Sequence, residues 1–253
     1  MRALKKTFNR VAARGLMRVE RHYLSIIGKR YVRSRYGVLM RANWEDSTFN
    51  YCYFGAYGNV LSDFLNSIDY EFVFLDIGAN QGLFSLLAAQ NPKCAKSIAF
   101  EPVHHTFELL EQNVDANKLE KKVTPVNAAI SSTTGCSEIF VKSSHSGAAS
   151  LLEIKEAGEE KTENIRTIDI KDTDKLIPTN ARIIVKIDVE GHEDVVINEL
   201  LKSENVKAIQ AVFYEMDEEL NDPAVLKGLL EKGGFAKFEK FGSGSHYDVL
   251  ALR

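Results

Sequence analysis

A run of apolar residues that ends in an acid and turns through two glycines constrains this chain more than any other feature. Residues 72–77 read Phe-Val-Phe-Leu-Asp-Ile, and the chain continues Gly-Ala-Asn-Gln-Gly to residue 82. An uninterrupted apolar run is typical of a parallel strand that is buried on both faces. Glycine lets the backbone turn tightly and approach a ligand closely. The pattern therefore predicts a strand, a turn and a helix with a ligand pocket at the carboxyl end of the strand.

The spacing of the glycines indicates which class of ligand is bound. A dinucleotide fingerprint requires G-x-G-x-x-G, whereas three residues separate Gly78 from Gly82 and Asn80 lies between them. The pattern resembles motif I of the class I S-adenosylmethionine-dependent methyltransferases. The resemblance implies that the backbone of this loop, including Ala79 and Asn80, holds the methionine end of the cofactor and that Asp76 orients it. The alternative is a tight turn without a ligand.

Charge divides the chain into two unlike parts. Residues 1–35 contain eleven Lys or Arg and one acid and carry +10, whereas the other 21 basic and 34 acidic residues give −13. Apolar residues recur at mostly three- and four-residue spacing in the basic part, namely Leu4, Phe8, Val11, Leu16, Val19, Tyr23, Ile26 and Ile27. This spacing predicts an amphipathic helix over residues 3–27. The helix would rest on an anionic membrane surface, which we favour, or dock on the acidic body or a partner subunit.

The sequence predicts neither a membrane span nor a disulfide framework. No apolar run approaches the roughly 18 residues that a transmembrane helix needs, and basic residues interrupt any signal peptide. Cys52, Cys94 and Cys136 are far apart, which indicates reduced thiols. We expect a cytoplasmic protein, and a peripheral position at the inner face of the membrane is the more specific alternative. We expect no nucleic-acid partner, and the sequence leaves the oligomeric state open.

Strands and helices alternate along the rest of the chain. Predicted strands cover residues 36–42, 72–77, 97–101, 123–127, 182–188 and 207–215, and predicted helices cover residues 58–68, 103–117, 192–202 and 223–232. Residues 236–241 and 247–252 predict a terminal hairpin, residues 137–142 an extra strand, and residues 153–164 a solvated loop. Alternation of this kind predicts an α/β fold with a mostly parallel sheet.

Two further strand ends carry candidate ligand-binding residues. Glu101 ends the second strand, nineteen positions after Gly82. A carboxylate at this position can accept hydrogen bonds from both ribose hydroxyls of a nucleotide. Asn127 and Ala128 end the third strand, where a small residue could flank an adenine ring. Asn127 could equally be a turn residue.

A second motif follows the strand at residues 183–187. It delivers Asp188 and Glu190 on one face and turns at Gly191 towards His192. With Glu215 at the end of the next strand, these groups could act as a general base, an acceptor clamp or a site for a hard metal. We predict that Glu190 or His192 is the base, that Asp188 organises cofactor or acceptor, and that no metal is resident. The alternative is that the acids only cap a helix.

Taken together, these segments resemble the FkbM-type methyltransferase family. The matching segments are residues 76–82 and 84–85, Phe100-Glu101-Pro102, Ser150-Leu151, Thr167-Ile168-Asp169 and Lys186-Ile187-Asp188-Val189-Glu190-Gly191-x-Glu193. The resemblance implies a Rossmann-like three-layer sandwich whose seven-stranded sheet has an antiparallel last strand. It also implies S-adenosylmethionine as cofactor and O-methylation of a saccharide, glycolipid or related natural product.

The same resemblance suggests how the chain is divided. We expect residues 70–253 to form the methyltransferase domain and residues 1–69 to form a basic helix and a cap. Two alternative functions stay open at this point. One is an NAD-linked oxidoreductase, and the other is a non-catalytic module that binds a glycan or a membrane.

Overall fold

A seven-stranded sheet lies at the centre of the computed structural model, which describes residues 17, 19–142, 145–151 and 160–253. In chain order the strands are β1 (Tyr31–Arg33), β2 (Leu39–Arg41), β3 (Phe72–Ile77), β4 (Cys94–Phe100), β5 (Val123–Val126), β6 (Ala129–Ile130), β7 (Gly135–Lys142), β8 (His145–Ser150), β9 (Glu160–Ile168), β10 (Ile183–Ile187), β11 (Ile209–Asp217), β12 (Lys237–Phe241) and β13 (His246–Leu252). The helices are α1 (Ser47–Phe54), α2 (Asn59–Ser67), α3 (Leu83–Gln90), α4 (His104–Ala116), α5 (Ile170–Asp174), α6 (Glu193–Lys202) and α7 (Pro223–Lys232).

The strand order of the central sheet is β12-β13-β11-β10-β3-β4-β5. Strands β5, β4, β3, β10 and β11 run parallel, and β13 runs antiparallel to both of its neighbours. The predicted sheet, with its antiparallel last strand, is confirmed. The chain moves outward from β3 through β4 to β5 and then returns to β10 on the other side of β3. A ligand crevice is expected where the order reverses in this way, at the carboxyl ends of β3 and β10.

Alternating side chains of β3 pack into two cores. Phe72 and Phe74 lie in the core with α2, α3 and α4, whereas Val73 and Leu75 lie in the core with α6 and α7. All four side chains are at most 1% exposed. Successive side chains of a strand point to opposite faces of the sheet, so an apolar run without alternation requires a helical layer on each face. The predicted three-layer sandwich follows from this run.

The N-terminal part of the described chain packs on one face of the sheet. Strands β1 and β2 form an antiparallel pair. Helix α1 begins where the Asp46 carboxylate accepts a hydrogen bond from Phe49 N, and it ends at Gly55 in a left-handed conformation. Phe49 and Cys52 are buried in the same core as Phe74. The cap expected within residues 1–69 therefore contains a well-packed helix.

Another helix covers residues 19–27. Leu24 of this helix and Met17, which is helical as well, pack against the core that contains the buried residues of α1. The remainder of the predicted helix over residues 3–27, including Leu4, Phe8, Val11 and Leu16, lies outside the described residues. No described helix is long and apolar enough to cross a membrane.

A second sheet of four strands, in the order β6-β9-β7-β8, covers the carboxyl end of the first. The extra strand predicted at residues 137–142 is confirmed as part of β7. The prediction of a loop over residues 153–164 is wrong for residues 160–164, which belong to β9 and pair with β7. Lys161 and Thr162 are exposed, so this part of the strand lacks the apolar alternation that reveals a half-buried strand. Residues 152–159 lie outside the described part.

Candidate active site

A pocket opens at the carboxyl ends of β3, β4 and β10. Its empty volume is about 890 Å³ including the open mouth, which is within the usual size range of small-molecule sites. The turn after β3 forms the floor, and the ends of β4 and β10 form two walls. Thr48, Cys52 and Tyr57 add a wall from the N-terminal part of the chain, and Ser146 and Gly147 of β8 cover one side.

The turn after β3 is shaped by contacts that only glycine permits. Gly78 has a φ of 75°, and a Cβ at this position would lie 1.8 Å from the carbonyl oxygen of Asp188. Gly82 has a φ of 87°, and its Cβ would lie 2.3 Å from Leu110 Cδ1. Asp76 is fully buried behind the pocket wall, where its Oδ2 accepts a hydrogen bond from Ser85 Oγ at 2.7 Å. These three predicted residues therefore shape the loop, and of the three Gly78 also lines the pocket.

Glu101, for which the sequence predicts a contact with ribose, lines the pocket at the end of β4. It is 5% exposed, and its two carboxylate oxygens accept hydrogen bonds at 2.9 Å from Asn80 N and Val103 N. Burial raises the pKa of Glu101 to about 7, although these two N–H donors lower it. Each oxygen has a second lone pair that can accept from a hydroxyl group. Glu101 thus ties the turn after β3 to the end of β4 and keeps the capacity to bind a vicinal diol.

Gln81 is a pocket residue that the sequence analysis missed. Its side chain is 2% exposed and lines the pocket, yet neither Nε2 nor Oε1 has a hydrogen-bond partner among the described residues. A buried polar group without a partner costs about 1–3 kcal/mol. An amide that offers one donor and one acceptor matches the ammonium and carboxylate of an amino-acid ligand. Its place between Asn80 and Gly82 of motif I is the signal that could have identified it.

The end of β5 contributes an apolar surface to the pocket. Ala128 is fully buried and lines the pocket with Pro102 and Ile130. Asn127 lies outside the lining, because its side-chain amide donates to the carbonyl oxygens of Glu101 and Pro102 at 2.9 Å. The Asn127 side chain thus has the turn-stabilising contacts of the alternative interpretation, and its contact with a cofactor stays a prediction.

Lys186 is a second residue that the sequence analysis left without a role. Its side chain is 4% exposed, and Nζ lies 3.5 Å from Asp76 Oδ1 and 3.3 Å from Asp188 Oδ2. Nζ also donates to the carbonyl oxygen of Gly78 at 2.5 Å. Burial lowers the pKa of Lys186, but the two carboxylates raise it further, so the ammonium form persists. The sequence signal for Lys186 is a basic residue inside an apolar strand, two positions before an acid.

Asp188 lies at the centre of a group of carboxyl side chains. Oxygen atoms of Asp188, Glu190 and Glu215 lie within 4.8 Å of one another. Burial opposes ionisation of Asp188, but Lys186 and the hydrogen bond that Tyr57 donates at 3.0 Å help to lower its pKa. Burial and the adjacent Asp188 raise the pKa of Glu215 to about 8. Asp188 is therefore the more acidic member of the pair, and His246, whose Nε2 lies 2.9 Å from Glu215 Oε1, lowers the pKa of Glu215 in turn.

Glu190 and His192 line the pocket beside Asp188. Glu190 has a φ of 50°, a strained conformation for a residue with a Cβ, and Ser150 Oγ donates to its carbonyl oxygen at 2.6 Å. Burial and the neighbouring Asp188 raise its pKa to about 8. Burial lowers the pKa of His192 below its ordinary 6.5, and its Nε2 lies 3.3 Å from Ser131 Oγ. Both groups that were predicted as bases therefore face the same cavity.

Comparison with solved structures places the fold among known methyltransferases. The METTL16 methyltransferase domain superposes with a TM-score of 0.51 at 13% identity, covering 86% of this chain and 74% of that one. The structure of aTrm5 with tRNALeu gives a TM-score of 0.50 at 14% identity, covering 87% of this chain and 51% of that one. These identities show similarity of fold alone. None of the curated protein sequences compared with this chain matches it.

The sequence itself matches a family profile over residues 76–247, which is most of the chain. That range begins at the acid of motif I and ends in the last strand of the sheet, so it includes every group that lines the pocket from β3, β4 and β10. The resemblance drawn from the motifs is confirmed: the protein belongs to the family of the methyltransferase FkbM domain.

Proposed function

We propose that the protein transfers a methyl group from S-adenosylmethionine to a hydroxyl group of a saccharide, glycolipid or related natural product. The observation that carries this proposal is that Glu190 and His192, two groups able to take a proton, line the pocket together at the end of β10. An alcohol is weakly acidic and must lose its proton as its oxygen attacks. A ring nitrogen with a free lone pair attacks without such a base. A pocket with two candidate bases therefore suits a hydroxyl acceptor.

The residues of the pocket fit the cofactor. Glu101 offers two acceptor oxygens for ribose hydroxyls, and the unpaired amide of Gln81 offers a donor and an acceptor for the amino-acid end. Ala128 and Ile130 provide apolar surface for an aromatic ring. When bound, S-adenosylmethionine supplies an electrophilic methyl group on a positively charged sulfur.

The charges of the pocket support this combination of cofactor and acceptor. The charged side chains of the lining are Glu101, Lys186, Asp188 and Glu190. Among the described residues of the lining, the single ammonium group is that of Lys186, and it already lies between two carboxylates. Burial raises the pKa of Glu101 to about 7 and that of Glu190 to about 8, so a cationic cofactor favours their ionised forms. Once ionised, they repel an acceptor that carries phosphate near its reactive atom. A neutral polyol meets no such repulsion.

The chain contributes alignment and proton removal to the reaction. Alignment can contribute up to roughly 7–11 kcal/mol, and a positioned base contributes about 10²- to 10⁴-fold in rate. His192 is neutral near pH 7 because its pKa is lowered, so it can accept a proton there. Glu190 can do so only as the pH approaches its pKa of about 8. Asp188, which holds Tyr57 and Lys186, acts as the organiser of this side of the pocket.

Methyl transfer from labelled S-adenosylmethionine to a panel of acceptors tests the proposal. The panel contains oligosaccharides, a glycolipid extract, amines and a tRNA transcript, and the product is analysed for the atom that carries the label. We expect label on a hydroxyl oxygen of a sugar. Label on a nitrogen of an amine or of tRNA would contradict the proposal, and a protein that binds the cofactor without turnover on any acceptor would support the non-catalytic module. The match to a methyltransferase family already favours methyl transfer over NAD-linked oxidation.

A chelator provides a separate test of the metal question. We propose no resident metal, so a chelator should leave the rate unchanged. Loss of activity that magnesium restores would instead identify Asp188, Glu190 and Glu215 as oxygen ligands, since hard cations prefer such groups.

A further inference from the structure

The helix over residues 19–27 has two apolar faces, and the protein itself covers one of them. Met17 and Leu24, seven residues apart, pack against the core beneath α1. Glu20 accepts a hydrogen bond from Tyr53 OH at 3.1 Å and lies 3.5 Å from Arg35. These contacts fix the orientation of the helix on the domain. The opposite face consequently points away from the protein.

The opposite face exposes large apolar side chains in a row. Val19 is 68% exposed, Tyr23 63% and Ile26 70%, and their spacing of four and three residues places them on one stripe. Ile27 is 43% exposed at the edge of the stripe. The described residues expose two other large apolar side chains, Tyr51 and Val225. A row of this kind on one helix marks an interaction surface, whereas scattered single side chains do not.

We infer that this stripe, Val19, Tyr23, Ile26 and Ile27, is the contact surface for an anionic membrane. The stripe belongs to the segment of residues 1–35, which carries +10. Lys29 and Arg30 are exposed just after the helix. Apolar side chains in a row within a strongly basic segment are the combination that inserts at the boundary between lipid headgroups and acyl chains. The basic residues are attracted by the negative surface of the bilayer.

A second copy of the chain fits this stripe less well. In a symmetric dimer the stripe would pack on itself, which would bring together two segments of +10. In an asymmetric contact the stripe would need an apolar patch elsewhere, and the described residues offer the single exposed side chains Tyr51 and Val225. A bilayer with anionic lipids offers apolar surface to the stripe and negative charge to the basic segment.

Helix α1 connects this surface with the pocket. Tyr53 of α1 contacts Glu20 of the N-terminal helix, while Thr48 and Cys52 of α1 line the pocket. A membrane-bound helix would therefore hold the pocket at a fixed distance from the lipid. If the proposed O-methylation is correct, this arrangement suits an acceptor that is attached to a lipid.

Co-sedimentation of the full chain with vesicles tests the inference. The vesicles contain phosphatidylcholine alone or phosphatidylcholine with about one third phosphatidylglycerol. We expect binding that depends on phosphatidylglycerol and weakens with salt. The triple variant Val19→Ser, Tyr23→Ser, Ile26→Ser should reduce partitioning by about tenfold or more, because the apolar contact is removed. The double variant Lys29→Gln, Arg30→Gln should weaken binding to anionic vesicles as well.

The matched control is the double variant Tyr51→Ser, Val225→Ser, which changes exposed apolar side chains elsewhere and should bind like the unmodified chain. Circular dichroism and cofactor binding show whether each variant folds. Equal sedimentation of triple variant and control would overturn the inference. So would absence of vesicle binding together with a dimer, measured by light scattering, that the triple variant dissociates. Vesicle binding is measured without acceptor, so its outcome is independent of the proposed reaction.

Discussion

Lys186 lies directly opposite Asp76 in the register of β10 and β3, and its Nζ is 3.5 Å from Asp76 Oδ1. The ammonium group is shared with Asp188, two residues further along the chain. One buried cation therefore joins the acid of motif I to the acid of the second motif.

The first prediction concerns this buried cation. Lys186→Met should destabilise the protein by about 3–5 kcal/mol, because it leaves a carboxylate buried without a partner, and the thermal midpoint should fall by roughly 10 °C. Lys227→Met is the control, because its partner Glu231 is exposed and such pairs contribute about 0.2–1 kcal/mol. Adding Asp76→Asn to Lys186→Met should restore part of the loss. No recovery in the double variant would show that the loss arises from packing.

The second prediction concerns the unpaired amide of Gln81. Gln81→Leu should stabilise the cofactor-free protein by about 1 kcal/mol or more, because a buried polar group without a partner is removed. The same change should weaken S-adenosylmethionine binding about tenfold. Thermal unfolding and calorimetry measure the two effects, with Gln90→Leu on the exposed end of α3 as control. Unchanged cofactor affinity would place Gln81 outside the cofactor site.

The third prediction concerns Glu101. Glu101→Ala should weaken binding of S-adenosylmethionine and of its demethylated product about tenfold or more, since hydrogen bonds to a charged group contribute about 1.5–3 kcal/mol. Glu101→Gln should be milder, because its side-chain oxygen can still accept from Asn80 N or Val103 N. Calorimetry compares both with Glu111→Gln, an exposed position on α4. Equal affinity of all three would remove Glu101 from the ribose site.

The fourth prediction separates the two candidate bases by the pH dependence of methyl transfer. If Glu190 is the base, the single-turnover rate should rise with pH until its pKa, about 8 or lower beside the cationic cofactor, and Glu190→Gln should remove this rise. If His192 is the base, the rise should end below pH 6.5, and His192→Ala should lower the rate at neutral pH. Both variants should keep cofactor affinity within a few-fold, since a base acts mainly in the transition state. If both variants react at the wild-type rate, Glu190 and His192 have structural roles and neither is the base.

The fifth prediction concerns stability without cofactor. Glu190 has its pKa raised from 4.5 to about 8 in the folded protein, so between these values the folded state binds a proton that the unfolded state has released. The stabilisation that Glu190 contributes is fully present below pH 4.5 and is lost as the pH rises through about 8. Thermal midpoints should therefore fall over this window. Glu190→Gln should flatten the fall, whereas Glu120→Gln, at an exposed position, should follow the unmodified protein.

The sequence determined the central sheet and the loop that follows β3. Successive side chains of the apolar run point to opposite faces of the sheet, so both faces have to be covered. Glycine at residues 78 and 82 permits close contacts with Asp188 O and Leu110, where a Cβ would collide. Such constraints act within a few residues or recur with a fixed period, so they can be recognised without knowledge of the tertiary structure. The strand β9 was missed at residues 160–164 because a solvent-exposed strand does not show that period.

Only the tertiary structure decided which side chains complete the pocket. Tyr57 reaches Asp188 across 131 positions of the chain, and Lys186 is paired with Asp76 only because β10 returns beside β3. The unpaired amide of Gln81 and the raised pKa of Glu190 depend equally on burial, which is a property of the packed chain. Periodicity and turn chemistry are local, whereas desolvation and charge pairing depend on which distant segments meet, and this is why the latter required the three-dimensional arrangement.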